Sequence, residues 1–368
     1  METQIIRKGI VLGLLFLLPL MATPAFAGKM EIVRLSDTMI IAQTGTPEAA
    51  GRSFALNTAR GIVVIDTHNS LTNMQQAKAL IEAEFKRHDY AFVIDSHDHP
   101  EHVRGNGLFD RNIVVGQEGI IEGLNYWKTR APEFVSRIDE LTAREEKKLA
   151  RAEKDSPEFK KSSDTLVELR NAREEVQGDF VYPTITFSDR LTLNLGDRTV
   201  KLISFGRGHS YSDILIYIPE EKVLLTGGTC SLRQTPPAFP GYTGRMDVDR
   251  WVSVLSEFVD SDVELKYIIP GHTPYLTKSD LTFLRDYYRT LWVGLSQARK
   301  DGQSLDQVKM LYSITNQFAS FSRLTNSSKM VKRHKKNIQE LWKYLNRPVG
   351  GTNGVAEANK PDNHTDRK

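Results

Sequence analysis

The stretch Tyr90-Ala-Phe-Val-Ile-Asp-Ser-His-Asp-His-Pro-Glu-His102 decides how this chain is read. Tyr90 to Ile94 is a short, continuously apolar run, the pattern of a strand buried on both faces. Directly beyond it, His97, His99 and His102 stand with Asp98 and Glu101 inside six residues. Loops past the carboxyl ends of strands are where α/β sheets carry their chemistry. Imidazoles two apart in an extended or turning loop can converge on one ion, and a carboxylate with a third imidazole can face a second. Zinc accepts such nitrogen and oxygen ligands and keeps a position open for water. The bland alternative is a solvated His-rich loop, but two further histidines repeat the context. His209 lies in Gly206-Arg-Gly-His-Ser210 after a strand ending at Phe205, and His272 lies in Ile268-Ile-Pro-Gly-His-Thr-Pro274. Five of the nine histidines thus sit at strand ends beside Gly or Pro turns, which scattered core histidines would not do.

Composition narrows what this cluster can be. The 368 residues include one cysteine, Cys230, so an intrachain disulfide framework and any cysteine-rich zinc finger are excluded, and a metal site must use His, Asp or Glu. The formal net charge is only +3, which argues against a global polyanion-binding surface and so against a nucleic-acid partner; the partner expected is a small-molecule substrate. At the amino end, Arg7 and Lys8 precede an apolar run from Ile10 to Met21 and then Ala25-Phe-Ala27. That is the pattern of a cleavable signal peptide over 1–27, shorter in its apolar core than the ~20 residues of a spanning helix. The expectation is a periplasmic or secreted chain with no stable membrane anchor after cleavage.

Working outward, short apolar runs predict strands at Ile32–Leu35, Met39–Ala42, Phe54–Leu56 and Gly61–Ile65. Ser70 caps a helix whose apolar face runs through Leu71, Met74, Ala77, Leu80, Ile81 and Phe85. Strand, helix and the Tyr90–Ile94 strand form a βαβ unit, which sets the class as α/β. Residues 118–179 differ. Between 137 and 179 there are 10 Lys/Arg and 12 Asp/Glu beside thin apolar stripes, and Ser156-Pro157 divides them. We read an inserted hairpin of two solvated helices, with a lid or a homodimer contact as the sharper alternative to a plain solvated face. Strand signals resume at Thr184–Phe187, Leu191–Leu195, Val200–Ile203, Ile214–Ile218, Val223–Leu225 and Tyr267–Ile269, with a helix at Val248–Phe258. Residues 276–345 read as a helical extension with segments near 279–299, 304–312 and 328–345. The polar segment 346–368 reads as a disordered tail.

Taken in order, these elements resemble the metallo-β-lactamase superfamily, over roughly residues 30–275 apart from the hairpin. Gly61-Ile-Val-Val-Ile-Asp66 is similar to the strand ending in the family's Asp. Ser96 to Phe109 resembles the His-x-His-x-Asp-His signature with its trailing Gly-Asn and Phe. Gly208-His-Ser-Tyr-Ser-Asp213, the strand pair running to Thr226-Gly227, and Pro270-Gly-His272 resemble the later motifs. The resemblance implies an αββα sandwich over 28–275 with the metal site at one edge. His97, His99 and His209 would bind a first ion, and Glu101, His102 and His272 a second. Zn2+ is the default in one or two copies, and iron or manganese suits similar ligands. Two departures stand out. The signature's Asp is Glu101 here, and the family's bridging Asp after Thr-Gly is Gly228, so that position supplies no bridge. Cys230 reads as a small buried hydrophobe.

The implied chemistry needs no protein nucleophile. Metal lowers the pKa of bound water toward ~7, and the hydroxide attacks an ester, lactone, amide (β-lactam) or sulfate or phosphate ester. Glu101 is the candidate catalytic residue, orienting that water or taking its proton, with a pure ligand role as the alternative. Asp66 is expected to support the loops, Asp213 to start a strand or hydrogen-bond near His209, and His68 to be an ordinary polar loop residue. Tyr211, Arg233 and Tyr242 are placed in loops bordering the site. The competing function is a non-catalytic metal-binding accessory protein of an exported redox or sulfur-oxidation system.

Overall fold

The computed structural model describes residues 30–44, 51–230, 243, 245–321 and 328–347. The signal-peptide reading at 1–27, Arg233, Tyr242 and all but the first two residues of the 346–368 tail lie outside them. Seven strands form one sheet: β1 (Glu31–Arg34), β2 (Met39–Thr44), β3 (Gly51–Thr58), β4 (Gly61–Ile65), β5 (Tyr90–Ile94), β6 (Val114–Gln117) and β7 (Ile185–Phe187), hydrogen-bonded in that order. The first four pair antiparallel, and β4 to β7 pair parallel. A second sheet runs β12 (Tyr267–Pro270), β11 (Val223–Gly227), β10 (Ile214–Ile218), β9 (Thr199–Ser204) and β8 (Arg190–Asn194). Only β11 and β12 are parallel there.

The period of two along each strand explains the layering. Met39, Ile41, Val63 and Ile65 face inward and share one core with Leu202, Ile214, Ile216, Leu225 and Ile269 of the other sheet. Their neighbours Ile40, Ala42, Ile62 and Val64 face the opposite way and pack on Met74, Ala77 and Ile81 of α1 (Leu71–Phe85). Ser70 caps that helix, its side chain accepting from the Asn73 N–H, and Lys86 ends it at φ 52°. On the far side, Ile203, Leu215, Leu224 and Ile268 pack against α5 (Val248–Val259) and α6 (Lys278–Lys300), which in turn hold α7 (Leu305–Leu311) and α8 (Ser328–Leu345). The order is helix, sheet, sheet, helix, as the αββα expectation requires.

Between β5 and β6 lies the short helix α2 (Pro100–Val103), and between β6 and β7 lie α3 (Ile120–Leu149) and α4 (Pro157–Gln177). The charged stretch is therefore a helical pair. Its base is not merely solvated. Ile120, Leu124, Trp127, Phe134 and Ile138 of α3 form a buried cluster with Val103, Leu169, Val176 and Phe180. Sequence reading passed over β6. Four residues buried on both faces are too short to show any alternation.

Candidate metal centre

The carboxyl ends of β4, β5, β11 and β12 meet the β9–β10 turn at one edge of the sandwich. Here the structure brings the sequence-predicted residues together in two sets. Within each of them, His97, His99 and His209 on one side and Glu101, His102 and His272 on the other, one ligand atom per residue lies within 4.8 Å of the rest. The sets adjoin. The His97 ring centroid is 4.2 Å from that of His102, and 4.6 and 4.9 Å from those of His99 and His209. Alternation explains the sorting in the loop after β5. His97 and His99 point one way, whereas Asp98 points behind them.

Each imidazole orientation has a visible cause. Asp66 is buried and sits at φ 60°, a left-handed position that aspartate tolerates. Its Oδ1 accepts the Ser96 N–H at 2.8 Å, and its Oδ2 accepts from the Ser96 hydroxyl at 2.9 Å and from His102 Nδ1 at 2.7 Å. A carboxylate only accepts, so His102 carries its proton on Nδ1 and offers a lone pair at Nε2. The Ser96 hydroxyl spends its single proton on Asp66, so its oxygen accepts from His97 Nδ1, 2.9 Å away. His97 therefore also presents a lone pair at Nε2. That atom is buried and has no hydrogen-bond partner among the described residues. Asp213 does the same for His209, its Oδ1 accepting from Nδ1 at 3.0 Å while Ser210 holds both carboxylate oxygens.

Three lone pairs thus face inward, and His102 Nε2 lies 2.8 Å from His272 Nε2. An orphaned buried nitrogen and a closely opposed nitrogen pair are costly without a shared proton or ion between them. The donor set fits a nitrogen-and-oxygen-loving divalent metal. Burial, reinforced by the four neighbouring histidines, holds His97 well below the usual imidazole range, so it stays neutral. Burial would raise the Glu101 carboxyl, but His99, His102 and His272 outweigh it and hold it well below the usual carboxylate range.

Several supporting residues carried no sequence signal of their own. Asp98 is fully buried and accepts from the Trp127 indole at 3.0 Å, the Tyr211 N–H at 2.8 Å and the Ser212 hydroxyl at 3.0 Å. A Cβ on Gly123 of α3 would fall 2.2 Å from the Asp98 carboxyl carbon, so only glycine lets the helix pack this close. The hairpin base is thereby tied to the loop that carries His97 and His99. Trp127 meets the His99 ring edge-on at 5.5 Å, and Tyr126 and Tyr211 stand 5.8 Å apart beside it. Arg52 donates to the carbonyls of Pro270 and Thr273, both at 2.7 Å, and so fixes the His272 loop. The trailing Gly105-Asn106 has a mechanical reason. A Cβ at Gly105 would strike the Thr67 carbonyl at 2.2 Å, and the Asn106 amide holds both Asp95 oxygens, at 3.1 and 2.9 Å.

Asp213 is a partner of His209 and not simply the start of a strand. His68 is buried beside this network at φ 61°, with burial pulling its pKa down to about 4, and is in neither ligand set. Residues 66–68 form a loop, so His68 is a loop residue, but a buried one. Cys230 is fully buried in the apolar cluster under α5 and α6, and burial pushes its thiol up to about 12. It joins neither set.

With this geometry in view, comparison with known proteins is informative. The model of the metallo-beta-lactamase superfamily matches residues 48–272. This chain belongs to that superfamily. A metallo-beta-lactamase type 2 from Bacteroides fragilis is 28% identical over 93 residues, which are 25% of this chain and 36% of that enzyme. Among solved structures, a stereoselective inverting sec-alkylsulfatase from Pseudomonas sp. superposes with a TM-score of 0.57 at 14% identity, over 85% of this chain and 50% of the sulfatase. A metallo-beta-lactamase from Pontibacter korlensis gives a TM-score of 0.44 at 16% identity, over 71% of this chain and 99% of its own. The chain thus spans about a third of the curated lactamase and half of the sulfatase, and at 14% identity the sulfatase speaks for the fold alone. The αββα sandwich described above is the superfamily's; this chain also carries the helical pair between β6 and β7 and the helices α6–α8.

Proposed function

We propose that this chain is a metal-dependent hydrolase of a small molecule with an ester, lactone, amide or sulfate or phosphate ester bond. One observation carries the reading. The buried, partnerless Nε2 of His97 stands where two adjacent three-ligand sets converge. His97, His99 and His209 would hold one ion, and Glu101, His102 and His272 a second, with Zn2+ the first choice of metal. Bound there, the ion supplies Lewis acidity and an activated water at neutral pH.

The chain's own residues do the positioning. Asp66 and Asp213 keep the histidine lone pairs aimed inward, and Ser96 passes the Asp66 charge on to His97. Glu101 is the carboxylate at the mouth of both sets and has two roles available, proton acceptor or ligand. Trp127 meets His99 edge-on and Tyr126 links it to Tyr211, an aromatic wall that braces the first set. That wall is the physical basis for treating the hairpin as part of the site and not as a detached appendage. The relatives named as a lactamase and a sulfatase support hydrolysis as the reaction class. We also infer export, on the Arg7–Ala27 pattern alone.

The test is metal analysis of the purified protein followed by a screen of generic esters, lactones, β-lactams and alkyl sulfates. Two ions per chain with turnover on one class supports the proposal. Tightly bound metal without turnover on any class would favour the accessory metal carrier instead.

A further inference from the structure

Gly228 stands where other members of the fold place a bridging aspartate, and the structure shows more than a missing carboxylate there. A Cβ at this position would fall 2.0 Å from Cε1 of His209 and 2.5 Å from its Nε2. The His209 ring occupies the space through which any side chain would have to leave, so no substitution restores a bridge from position 228. A shared anion then has to come from solvent or from another side chain. Five neutral imidazoles and one carboxylate would face two divalent ions, and a single anion stabilises both best from between them.

Glu101 is in that place. Its Oε1 lies 3.6 Å from His99 Nδ1, in the first set, and 3.9 Å from His272 Nε2, in the second. Two ligands on one tetrahedral zinc, each about 2.0–2.2 Å from the metal, stand roughly 3.3–3.6 Å apart. The same oxygen is therefore near ligand spacing from a nitrogen of each set, and it is nearer the first set than its own. The additional methylene of glutamate over aspartate supplies the reach, and Pro100 at the start of α2 fixes the backbone from which it extends. The 4.2 Å between the His97 and His102 rings puts the two sets close enough to share a ligand.

We propose that Glu101 is a bridging ligand, one carboxylate oxygen serving both ions, and that the glutamate in the signature and the glycine at 228 are two halves of one exchange. The proposal rests on the two-ion reading above and separates from it experimentally. In a His272→Ala background the first set is left to bind a single Zn2+, whose affinity is read by competition with a chromophoric chelator. Adding Glu101→Gln, which keeps the side chain's shape, should weaken that single ion at least about 10-fold if Glu101 reaches the first site. In the otherwise intact protein, Glu101→Gln should weaken both equivalents, and Glu101→Asp, too short to span, should weaken the first-set ion while retaining the other. Thermal unfolding of the metal-free variants checks that each is folded. First-set affinity within twofold with and without Glu101→Gln overturns the bridge while leaving the two-ion reading intact. A wild-type protein that binds no zinc overturns both.

Discussion

Replacing Asp66 by asparagine removes one negative charge from behind the site with almost no change of shape. It is tolerated by the backbone, because asparagine shares aspartate's ease at φ 60°. The carboxylate accepts three hydrogen bonds, from the Ser96 N–H, the Ser96 hydroxyl and His102 Nδ1. An amide has one acceptor end. With its oxygen on the Ser96 N–H, its NH2 faces His102 Nδ1, which must then give up its proton and move it to Nε2, so the lone pair leaves the site. With the amide reversed, His102 keeps its tautomer, but the NH2 opposes the Ser96 N–H and the bond to His102 loses its charge and about half its strength. Either way the second-set ion is held more weakly. Loss of such a carboxylate–histidine partner costs about 10–100-fold in metal affinity, or roughly 1.4–2.7 kcal/mol. The buried donor left unsatisfied costs about 1–3 kcal/mol of stability. Zinc competition with a chromophoric chelator reads the first quantity, and thermal unfolding of the metal-free protein reads the second. If Asp66→Asn binds both zinc equivalents within twofold of wild type, the argument that Asp66 sets the His102 tautomer is refuted.

Other expectations follow from the same structure. Gly228→Ala places a methyl on the His209 ring, and the first-set ion should be lost or weakened at least about 10-fold, as elemental analysis will show; unchanged stoichiometry and affinity would mean that the ring is free to move. Trp127→Phe keeps the packing and removes the indole donor to Asp98, so stability should fall by about 1–3 kcal/mol in denaturant titration, and no change would detach the hairpin base from the site. Glu175 of α4 is raised to about 7, chiefly by burial and against the pull of Ser70 and Arg104. A carboxyl with a raised folded pKa binds more protons folded than unfolded between its ordinary value of 4.5 and about 7. Its contribution to stability is therefore full below 4.5 and is lost as pH rises through 7. Glu175→Gln should accordingly flatten the pH dependence of the melting temperature across this window and stabilise the protein at pH 8. A profile identical to wild type would show that Glu175 is solvated.

Much of this molecule was legible because its candidate metal site sits where periodicity stops. Gly61–Ile65 and Tyr90–Ile94 are apolar enough to announce buried strands; Asp66 follows the first directly, and His97 comes three positions after the end of the second. The six candidate ligands could thus be named without coordinates, and the structure brings all six together. What the sequence hides is whatever depends on three-dimensional approach. Asp98 sits between two ligands and is spent on Trp127, 29 residues away. Arg52 acts on a loop 218 residues distant, through backbone carbonyls that leave no mark in composition. The obstruction at Gly228 depends on where a ring lies, and the sequence showed only that a carboxylate was absent. The same limit explains the hairpin. Its charge pattern marked two helices, but Gly123 and Trp127, which dock the first of them against the site, look unremarkable in a list of residues.

The claim underlying all of this is that two adjacent ligand sets hold two ions. Its most direct test is elemental analysis of the wild-type protein beside the double variant His97→Ala/His99→Ala, both purified without added chelator. Two metal equivalents per chain falling to one, with the fold retained by circular dichroism, is the predicted result. An unchanged stoichiometry in the double variant, or no stoichiometric metal in the wild type, would contradict it.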